Sequence, residues 1–174
     1  MKKKIIPLFL AAAVSVSGVL PIGAVQPVTV MAENGHPARL VDNAGLLDED
    51  ESLELESKLY EISQEYDCDV VILTEETING AEPMDYADDY FDYEGYGMGE
   101  DNSGILFLIT MSERKWWIST HGEAIYDFTD AGQEYMAEQF QSDLSDGYYY
   151  DSFTTFTDLC QEFLAQAQTG EPFD

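Results

Sequence analysis

The chain has 174 residues, of which 7 are Lys or Arg and 35 are Asp or Glu, so its formal net charge at pH 7 is −28. A surface of this charge repels nucleic acid and anionic lipid headgroups, and we exclude both as partners. Aromatic residues make up 13% of the chain, which argues against a disordered acidic tail because such tails are poor in aromatic side chains.

The first residues have the pattern of a cleavable secretory signal peptide. Three lysines (2–4) precede an apolar run (5–14), and the segment 1–32 ends in Val30-Met31-Ala32. Glycine and proline interrupt it short of the roughly 20 apolar residues that a membrane-spanning helix requires, which makes a retained anchor the less favoured alternative. We expect a secreted, extracytoplasmic protein. Losing those three of the seven basic residues leaves four against 35 acidic ones, a net charge of −31.

The first part of the mature chain predicts a helix, a buried strand and a second helix. Residues 33–45 read as an extended lead-in, after which Asp48 and Glu51 have the spacing of a helix-capping box. The helix that follows has one apolar stripe, made of Leu55, Leu59, Ile62 and Tyr66. The run 68–74 is dense in β-branched residues and predicts a strand buried on both faces. Residues 84–93 predict the second helix.

The second part predicts a β-hairpin and two more helices. A glycine-bearing loop at 95–104 leads into a buried strand at 105–110, and a short polar turn separates it from a strand at 116–120. So short a connection requires the two strands to be antiparallel. One helix is capped by Thr129 and ends near residue 144. The last helix spans about 152–168, with Phe153, Phe156, Cys160, Phe163 and Ala167 on its apolar stripe.

This order of elements predicts an α/β fold with three layers. Strands that are buried on both faces require helices on both sides of the sheet. The hairpin makes the central sheet mixed, and adjacent Trp116 and Trp117 should point to opposite faces. No nucleotide site is predicted, because the loop at 95–104 follows a helix rather than a strand and lacks the Lys-Ser/Thr ending of a phosphate-binding loop.

The two cysteines, Cys68 and Cys160, leave two alternatives open. In an exported protein they can form one disulfide, yet each lies within an apolar pattern and fits equally well as a buried free thiol. Residues that are 92 positions apart carry no local geometric constraint on pairing. No Cys/His pair has the spacing of a structural zinc site.

Carboxylate and amide side chains stand beside three turns of the chain. Asp42 precedes a glycine turn, Asp101 and Asn102 end the glycine-bearing loop, and Asp130 opens a helix. Calcium in proteins binds six to eight such oxygens. The alternative is that Asp42 and Asp130 are ordinary turn and cap residues, which their neighbours permit.

Short motifs in a fixed order run through the whole of the mature chain. They stand at 41–47, 69–74, 86–87, 97–99, 101–108, Arg114 and 129–130. In this order and spacing they resemble the TPM domain family, exported or thylakoid-lumen α/β domains that are also described as thylakoid acid phosphatase-like. The resemblance covers about residues 38–168 and leaves 169–174 as a tail. It implies a Rossmann-like α/β/α sandwich outside the cytoplasm.

The resemblance also implies a divalent-cation site. Its residues in this chain would be Asp42, Asp101 and Asp130, with Asn102 as a lesser candidate, and Ca²⁺ is the expected ion. Many bacterial relatives carry a transmembrane helix after the domain, whereas we expect none in the mature chain here. Where the family often has a Gly-x-Gly turn, this chain has His121 in place of the first glycine.

Two functions follow from the resemblance. The first is an accessory or assembly module of the cell envelope, which binds an envelope protein that the sequence does not identify. The alternative is a metal-dependent phosphomonoester hydrolase, because some plant members are associated with acid phosphatase activity. In that case a metal would activate water, His121 would act as general acid and Arg114 would hold the phosphate.

Overall fold

The structure is a computed structural model that describes residues 36–170. The predicted signal segment (1–32), the start of the lead-in and the last four residues lie outside the described part. Within it the elements follow in the order β1 (Leu40–Asp42), α1 (Glu49–Tyr66), β2 (Asp69–Glu75), α2 (Pro83–Glu94), β3 (Gly104–Thr110), β4 (Lys115–His121), α3 (Ala124–Asp127), α4 (Asp130–Asp146) and α5 (Tyr149–Ala167).

The four described strands form one mixed sheet in the order β1-β2-β3-β4. Strands β1, β2 and β3 are parallel, and β4 pairs with β3 in the antiparallel sense as the predicted hairpin requires. One row of paired residues crosses the sheet through Asp42, Thr74, Ile109 and Trp116. A second row near the opposite edge joins Asp69, Gly104 and His121. These two rows mark the two ends of the strands. They are here named the Asp42 edge and the Asp101 edge, after the candidate site residues that lie there.

Helices cover both faces of the sheet, so the predicted three-layer sandwich is confirmed. On the first face α1, α4 and α5 bury a large core that includes Leu59, Phe107, Phe140 and Phe156. On the second face α2 packs over a smaller core made of Val71, Leu73, Ala87, Phe91, Tyr96, Leu106 and Leu108. Both central strands are buried on both faces, which explains their continuous apolar sequence.

Helix α1 begins and packs as its sequence predicts. The Asp48 side chain accepts a hydrogen bond from the Glu51 backbone N–H at 2.9 Å, and the Glu51 carboxylate accepts one from the Asp48 N–H at 2.9 Å. Leu55, Leu59 and Ile62 are buried against the sheet. The adjacent tryptophans diverge as expected, since Trp116 packs on Phe107 while Trp117 stays 39% exposed on the other face.

Three elements differ from the sequence expectation. Strand β1 has only three residues inside the predicted lead-in, and α3 has only four, so neither is long enough to show a hydrophobic period. Helix α5 begins at Tyr149, three residues before the predicted start at Ser152. Its first turn has no side-chain cap, and this start therefore carries no sequence signal.

A buried ion pair joins the start of β1 to the start of β2. The Arg39 Nη2 and Asp69 Oδ1 atoms lie 2.6 Å apart, and both side chains are about 1% exposed. The guanidinium also lies over the Tyr60 ring at 5.2 Å. The other carboxylate oxygen of Asp69 accepts a hydrogen bond from the Gly97 N–H at 2.7 Å. The pair therefore anchors the glycine-bearing loop to the sheet.

Both cysteines are free thiols in the structure. Cys68 and Cys160 are buried in the same core on the first face of the sheet. Burial raises the pKa of each thiol well above its usual range. None of the described helices combines the length and the apolar character needed to cross a bilayer.

Candidate functional site

Asp42 ends β1 and organises the loop that follows it. Its Oδ1 accepts a hydrogen bond from the Leu46 N–H at 3.1 Å, and its Oδ2 accepts one from the Leu47 N–H at 3.0 Å. The Thr74 hydroxyl also donates to Oδ1. Both carboxylate oxygens thus hold the turn that leads into α1, which is the structural alternative that the sequence left open for Asp42.

Asp101 lies at the opposite edge of the sheet from Asp42. Asp42 pairs with Thr74, which pairs with Ile109, whereas Asp101 precedes Gly104 at the other end of β3. At about 3.3 Å per strand residue, Gly104 and Ile109 alone are separated by about 17 Å. Asp42 and Asp101 are therefore too far apart to bind one ion.

Asp101, Asn102 and Asp130 belong to the same edge of the sheet, and all three are exposed. Strand β4 ends at His121 opposite Gly104, so α3 and the start of α4 follow from the edge where the Asp101 loop lies. Gly122 packs directly on this loop, because a Cβ there would lie 2.4 Å from the Asp101 carbonyl oxygen.

The donors at this edge amount to two carboxylates and one amide. Within residues 36–170, no group of three or more His, Cys, Asp or Glu side chains converges as a metal site would require. The four-residue site expected from the resemblance therefore does not fit a single ion. Strand direction places Asp101, Asn102 and Asp130 at one end of the sheet and Asp42 at the other.

His121 sits in a polar cluster between β4 and α2. Its ring stacks on Phe91 with 3.9 Å between ring centroids and an interplanar angle of 4°. Its Nε2 lies 2.9 Å from the Ser119 hydroxyl oxygen, and its Nδ1 lies 3.9 Å from the Asp92 carboxylate. Burial lowers the pKa of His121 below its ordinary value of 6.5, although Asp88 and Asp92 act in the opposite direction.

The cluster holds serine, histidine and aspartate, but its hydrogen bonds do not have the directions that a catalytic triad requires. The Ser119 hydroxyl donates to the Asp88 carboxylate, so it accepts rather than donates toward His121. The Ser119 side chain is also buried, at 4% exposure. A serine nucleophile needs its hydroxyl proton directed at the histidine base, and this geometry does not provide that.

Arg114 and His121 stand at opposite ends of β4. Arg114 belongs to the turn before Lys115, which pairs with Thr110, while His121 pairs with Gly104. Seven strand residues separate the ends by about 20 Å. The structure does not bring together the phosphate holder and the general acid of the hydrolase alternative.

Helix α2 carries a repeat that the sequence analysis did not single out. Asp85-Tyr86, Asp89-Tyr90 and Asp92-Tyr93 are three Asp-Tyr pairs spaced four and three residues apart. Residues at this spacing share one face of a helix. The buried face of α2 uses Pro83, Ala87 and Phe91, which leaves the Asp-Tyr pairs beside it and outside it.

The three Asp-Tyr pairs and Ala81 line an open groove of about 690 Å³, here named the α2 groove. Tyr93 is 91% exposed, and the three aspartates are exposed as well. The Tyr86 and Tyr90 rings are half-buried and stack with 6.3 Å between centroids. The groove thus presents tyrosine rings and carboxylates side by side.

The α2 groove lies on the one described helix that packs on the second face of the sheet. Helix α2 packs on β3 and β4, while Tyr86 and Tyr90 cover the second face near Val41 and β2. The Tyr86 hydroxyl donates to Glu75 at 3.1 Å. Burial and the neighbouring Glu75 raise the pKa of Tyr86 to about 12, and burial raises the pKa of Tyr90 further. Both phenols therefore stay neutral at physiological pH.

Comparison with known proteins agrees with the fold and its motifs. The sequence model of the TPM domain matches residues 40–163. The UPF0603 protein YdjH of Bacillus subtilis (strain 168) is 30% identical over 118 residues, which make up 68% of this chain and 44% of YdjH. The chain thus matches less than half of the length of this relative.

Solved structures share the architecture at low sequence identity. The N-terminal domain of a protein from P. gingivalis, solved by NMR, matches with a TM-score of 0.66 at 17% identity, over 75% of this chain and 83% of that domain. The BA42 protein from the psychrophilic bacterium Bizionia argentinensis matches with a TM-score of 0.58 at 14% identity, over 69% and 82%. At such identities the likeness bears on the fold alone.

Proposed function

Because the chain belongs to the TPM domain family, we propose that it acts outside the cytoplasm as an accessory or assembly module that binds another protein of the cell envelope. The observation that carries this proposal is the α2 groove, with its exposed Tyr93 and half-buried Tyr86 and Tyr90. Tyrosine rings are enriched where proteins bind proteins, since they combine an apolar face with a polar hydroxyl.

The proposed location rests on the amino-acid sequence. Residues 1–32 have the pattern of a secretory leader, and the strongly acidic remainder suits a solvated exterior protein. Mass determination of the protein isolated from the culture medium or the envelope tests this directly. A mass equal to that of residues 33–174 supports export with cleavage, and a full-length product in the cytoplasm argues against it.

We propose calcium binding only at the Asp101 edge of the sheet. Asp101, Asn102 and Asp130 are exposed oxygen donors of the kind that Ca²⁺ prefers, whereas both oxygens of Asp42 already accept backbone hydrogen bonds. We therefore assign Asp42 to the loop and keep the other three as the calcium candidates. A bound ion there would stabilise the loop before β3.

A thermal-unfolding experiment separates these two roles of aspartate. The midpoint of the purified protein is measured in chelator, in Ca²⁺ and in Mg²⁺ at matched ionic strength. Asp101→Asn should leave the chelator midpoint unchanged and abolish the Ca²⁺-specific increase. Asp42→Asn should lower the midpoint in every buffer and retain the increase. Equal small shifts with both ions would contradict calcium binding and leave only screening of an acidic surface.

The hydrolase alternative finds no matching geometry. His121 and Arg114 stand at opposite ends of β4, and Asp42 and Asp101 stand at opposite edges of the sheet. A general acid and a phosphate ligand have to reach the same substrate within hydrogen-bonding distance. We therefore do not propose phosphomonoester hydrolysis for this chain.

The interaction proposal is tested by capture from an envelope extract. The tagged protein is incubated with solubilised envelope in the presence and in the absence of chelator, and the bound proteins are compared with those on an acidic, unrelated carrier. We expect a reproducible partner that the carrier does not retain. Recovery of the same proteins on both matrices, in both conditions, would contradict the proposal.

A further inference from the structure

We propose that the α2 groove binds a lysine- or arginine-rich segment of the partner protein. This inference rests on the proposed function and names the chemistry of its partner. It begins from the three Asp-Tyr pairs, which place a carboxylate next to an aromatic ring three times along one helix. A cationic side chain is the group that both of these neighbours attract.

The aromatic part of the groove suits a cation. Lysine and arginine side chains are attracted to the face of a tyrosine ring, and their methylene stems pack on the same ring. Tyr93 is 91% exposed and open to such contact, and the stacked Tyr86 and Tyr90 rings line the same groove. Both of their phenols remain neutral, so they do not repel the neighbouring carboxylates. The negative charge that pairs with a bound cation therefore has to come from the aspartates.

The charged part of the groove selects the sign of the partner. Asp85, Asp89 and Asp92 are exposed, and no basic side chain is found among the residues that line the groove. Around it lie further acids, including Glu75 and Glu94, whose charges also act on Tyr90. Three carboxylates in sequence along the helix would pair with basic side chains of a segment laid beside it.

Other occupants meet a physical penalty. A neutral apolar segment would cover three carboxylates without pairing them, which costs free energy. A second copy offers only the adjacent Arg114 and Lys115 as further cations within the described residues, since Arg39 is buried against Asp69 and Lys58 pairs with Asp158. Anionic lipid and nucleic acid are repelled. A basic segment of a different protein is the occupant that the charges favour.

The test uses two short peptides and two pairs of variants of the purified protein. A Lys-Gly-Ser repeat peptide and a matched Gln-Gly-Ser peptide are titrated by fluorescence anisotropy at physiological ionic strength. Asp85→Asn/Asp89→Asn removes two groove charges, and Glu134→Gln/Glu138→Gln removes two exposed charges from α4 as the matched control. Tyr93→Ala removes the exposed ring, and Tyr148→Ala, at a tyrosine that is 62% exposed on the other side of the sheet, is its control.

We expect the lysine peptide to bind and the glutamine peptide not to bind. Tyr93→Ala should weaken binding about two- to fivefold, the range for one exposed cation–π contact. Asp85→Asn/Asp89→Asn should weaken it about three- to tenfold, the effect expected from losing two exposed charge pairs. Both controls should change the affinity by less than about twofold, because none of the substituted residues lines the groove.

Several results would overturn the inference. Equal weakening by the α4 control would mean that the peptide responds only to total charge, and unaltered binding in Tyr93→Ala would exclude the ring. If an envelope partner is captured equally by wild type and by all groove variants, the groove is not its binding site, although the proposed function stands. If the peptide binds the groove but no envelope partner is found, the proposed function fails and the chemistry of the groove stands.

Discussion

At the scale of single residues, the Arg39–Asp69 pair shows how this acidic chain uses one of its few cations. Both side chains are about 1% exposed, and Arg39 Nε and Nη1 have no hydrogen-bond partner within the described residues. A buried pair of this kind gains little over a well-packed apolar contact, but it costs much to leave one partner alone. The pair therefore makes the β1–β2 junction sensitive to any change of either side chain.

Arg39→Leu should destabilise the domain by about 3–5 kcal/mol, because Asp69 would be left as an unpaired buried charge. Chemical denaturation measures this change. Lys58→Leu serves as the control, since Lys58 pairs with Asp158 at the surface and such pairs contribute about 0–1 kcal/mol. Adding Asp69→Asn to Arg39→Leu should recover part of the loss. Similar costs for Arg39→Leu and Lys58→Leu would contradict the structural role given to the buried pair.

His121 makes the stability of the folded protein decrease as the pH falls. Its pKa is lowered in the folded protein by burial, against the opposing carboxylates of Asp88 and Asp92. The unfolded chain therefore takes up a proton on this ring at a higher pH than the folded chain does. The stabilising contribution is present above about pH 6.5, the ordinary histidine value, and is lost as the pH falls through the folded pKa.

The measurement compares free energies of unfolding of the wild type and of His121→Gln across this range. The difference between them should shrink on going from pH 7.5 to pH 5. An NMR titration of the His121 ring should independently give a pKa below that of a histidine in a short peptide. A constant difference, or a ring that titrates above the peptide value, would show that the Asp88 and Asp92 charges prevail over burial.

The residues of the candidate site were predicted in part. Sequence spacing located Asp42, Asp101, Asn102 and Asp130 beside turns. In the structure Asp42 ends β1, Asp130 begins α4, and Asp101 and Asn102 lie in the loop before β3. Whether they meet depends on which edge of the sheet each turn occupies. That depends on strand β1, whose three residues give no periodic signal, so the separation of Asp42 from Asp101 was beyond sequence reasoning.

At the scale of elements, α2 shows that an apolar sequence pattern predicts a helix more readily than it predicts a groove on the helix surface. Its apolar residues predicted a helix, and the helix is present, but an amphipathic period says nothing about a neighbouring groove. The groove is lined by Ala81 and by residues of α2 itself. The Asp-Tyr repeat was visible in the sequence, and it becomes informative only once the α2 groove that these residues line is known.

The contact between α2 and β3 depends on the absence of a side chain at Gly104. A Cβ at this position would lie 2.4 Å from Cζ of Phe91 and 3.0 Å from the Asp69 carbonyl oxygen. Gly104→Ala should therefore destabilise the domain by about 1–3 kcal/mol, as overpacking of a core does. Denaturant titration gives the value. Phe91→Leu in the Gly104→Ala background should recover part of the loss, and a cost that Phe91→Leu does not change would contradict this contact as the cause.

At the scale of the whole molecule, the fold follows from the pattern of apolar strands and the surface follows from charge. The strands β2 and β3 are apolar on both sides, which forces helices onto both faces and yields the predicted sandwich. The two helical layers are unequal, since three long helices cover the first face and α2 covers the second. The face covered by the single described helix α2 is the one that carries the α2 groove, in a chain whose net charge favours cationic partners.

The most direct test of binding through the α2 groove is site-specific photo-crosslinking in living cells. A photoreactive amino acid replaces Tyr93 in the α2 groove or, as the control, Tyr148 on the other side of the sheet; both positions are largely exposed. We expect a discrete crosslinked adduct with another protein from position 93 and none from position 148, and we expect the adduct to be lost when Asp85→Asn/Asp89→Asn is added. The same adducts from both positions, or none from position 93, would contradict it.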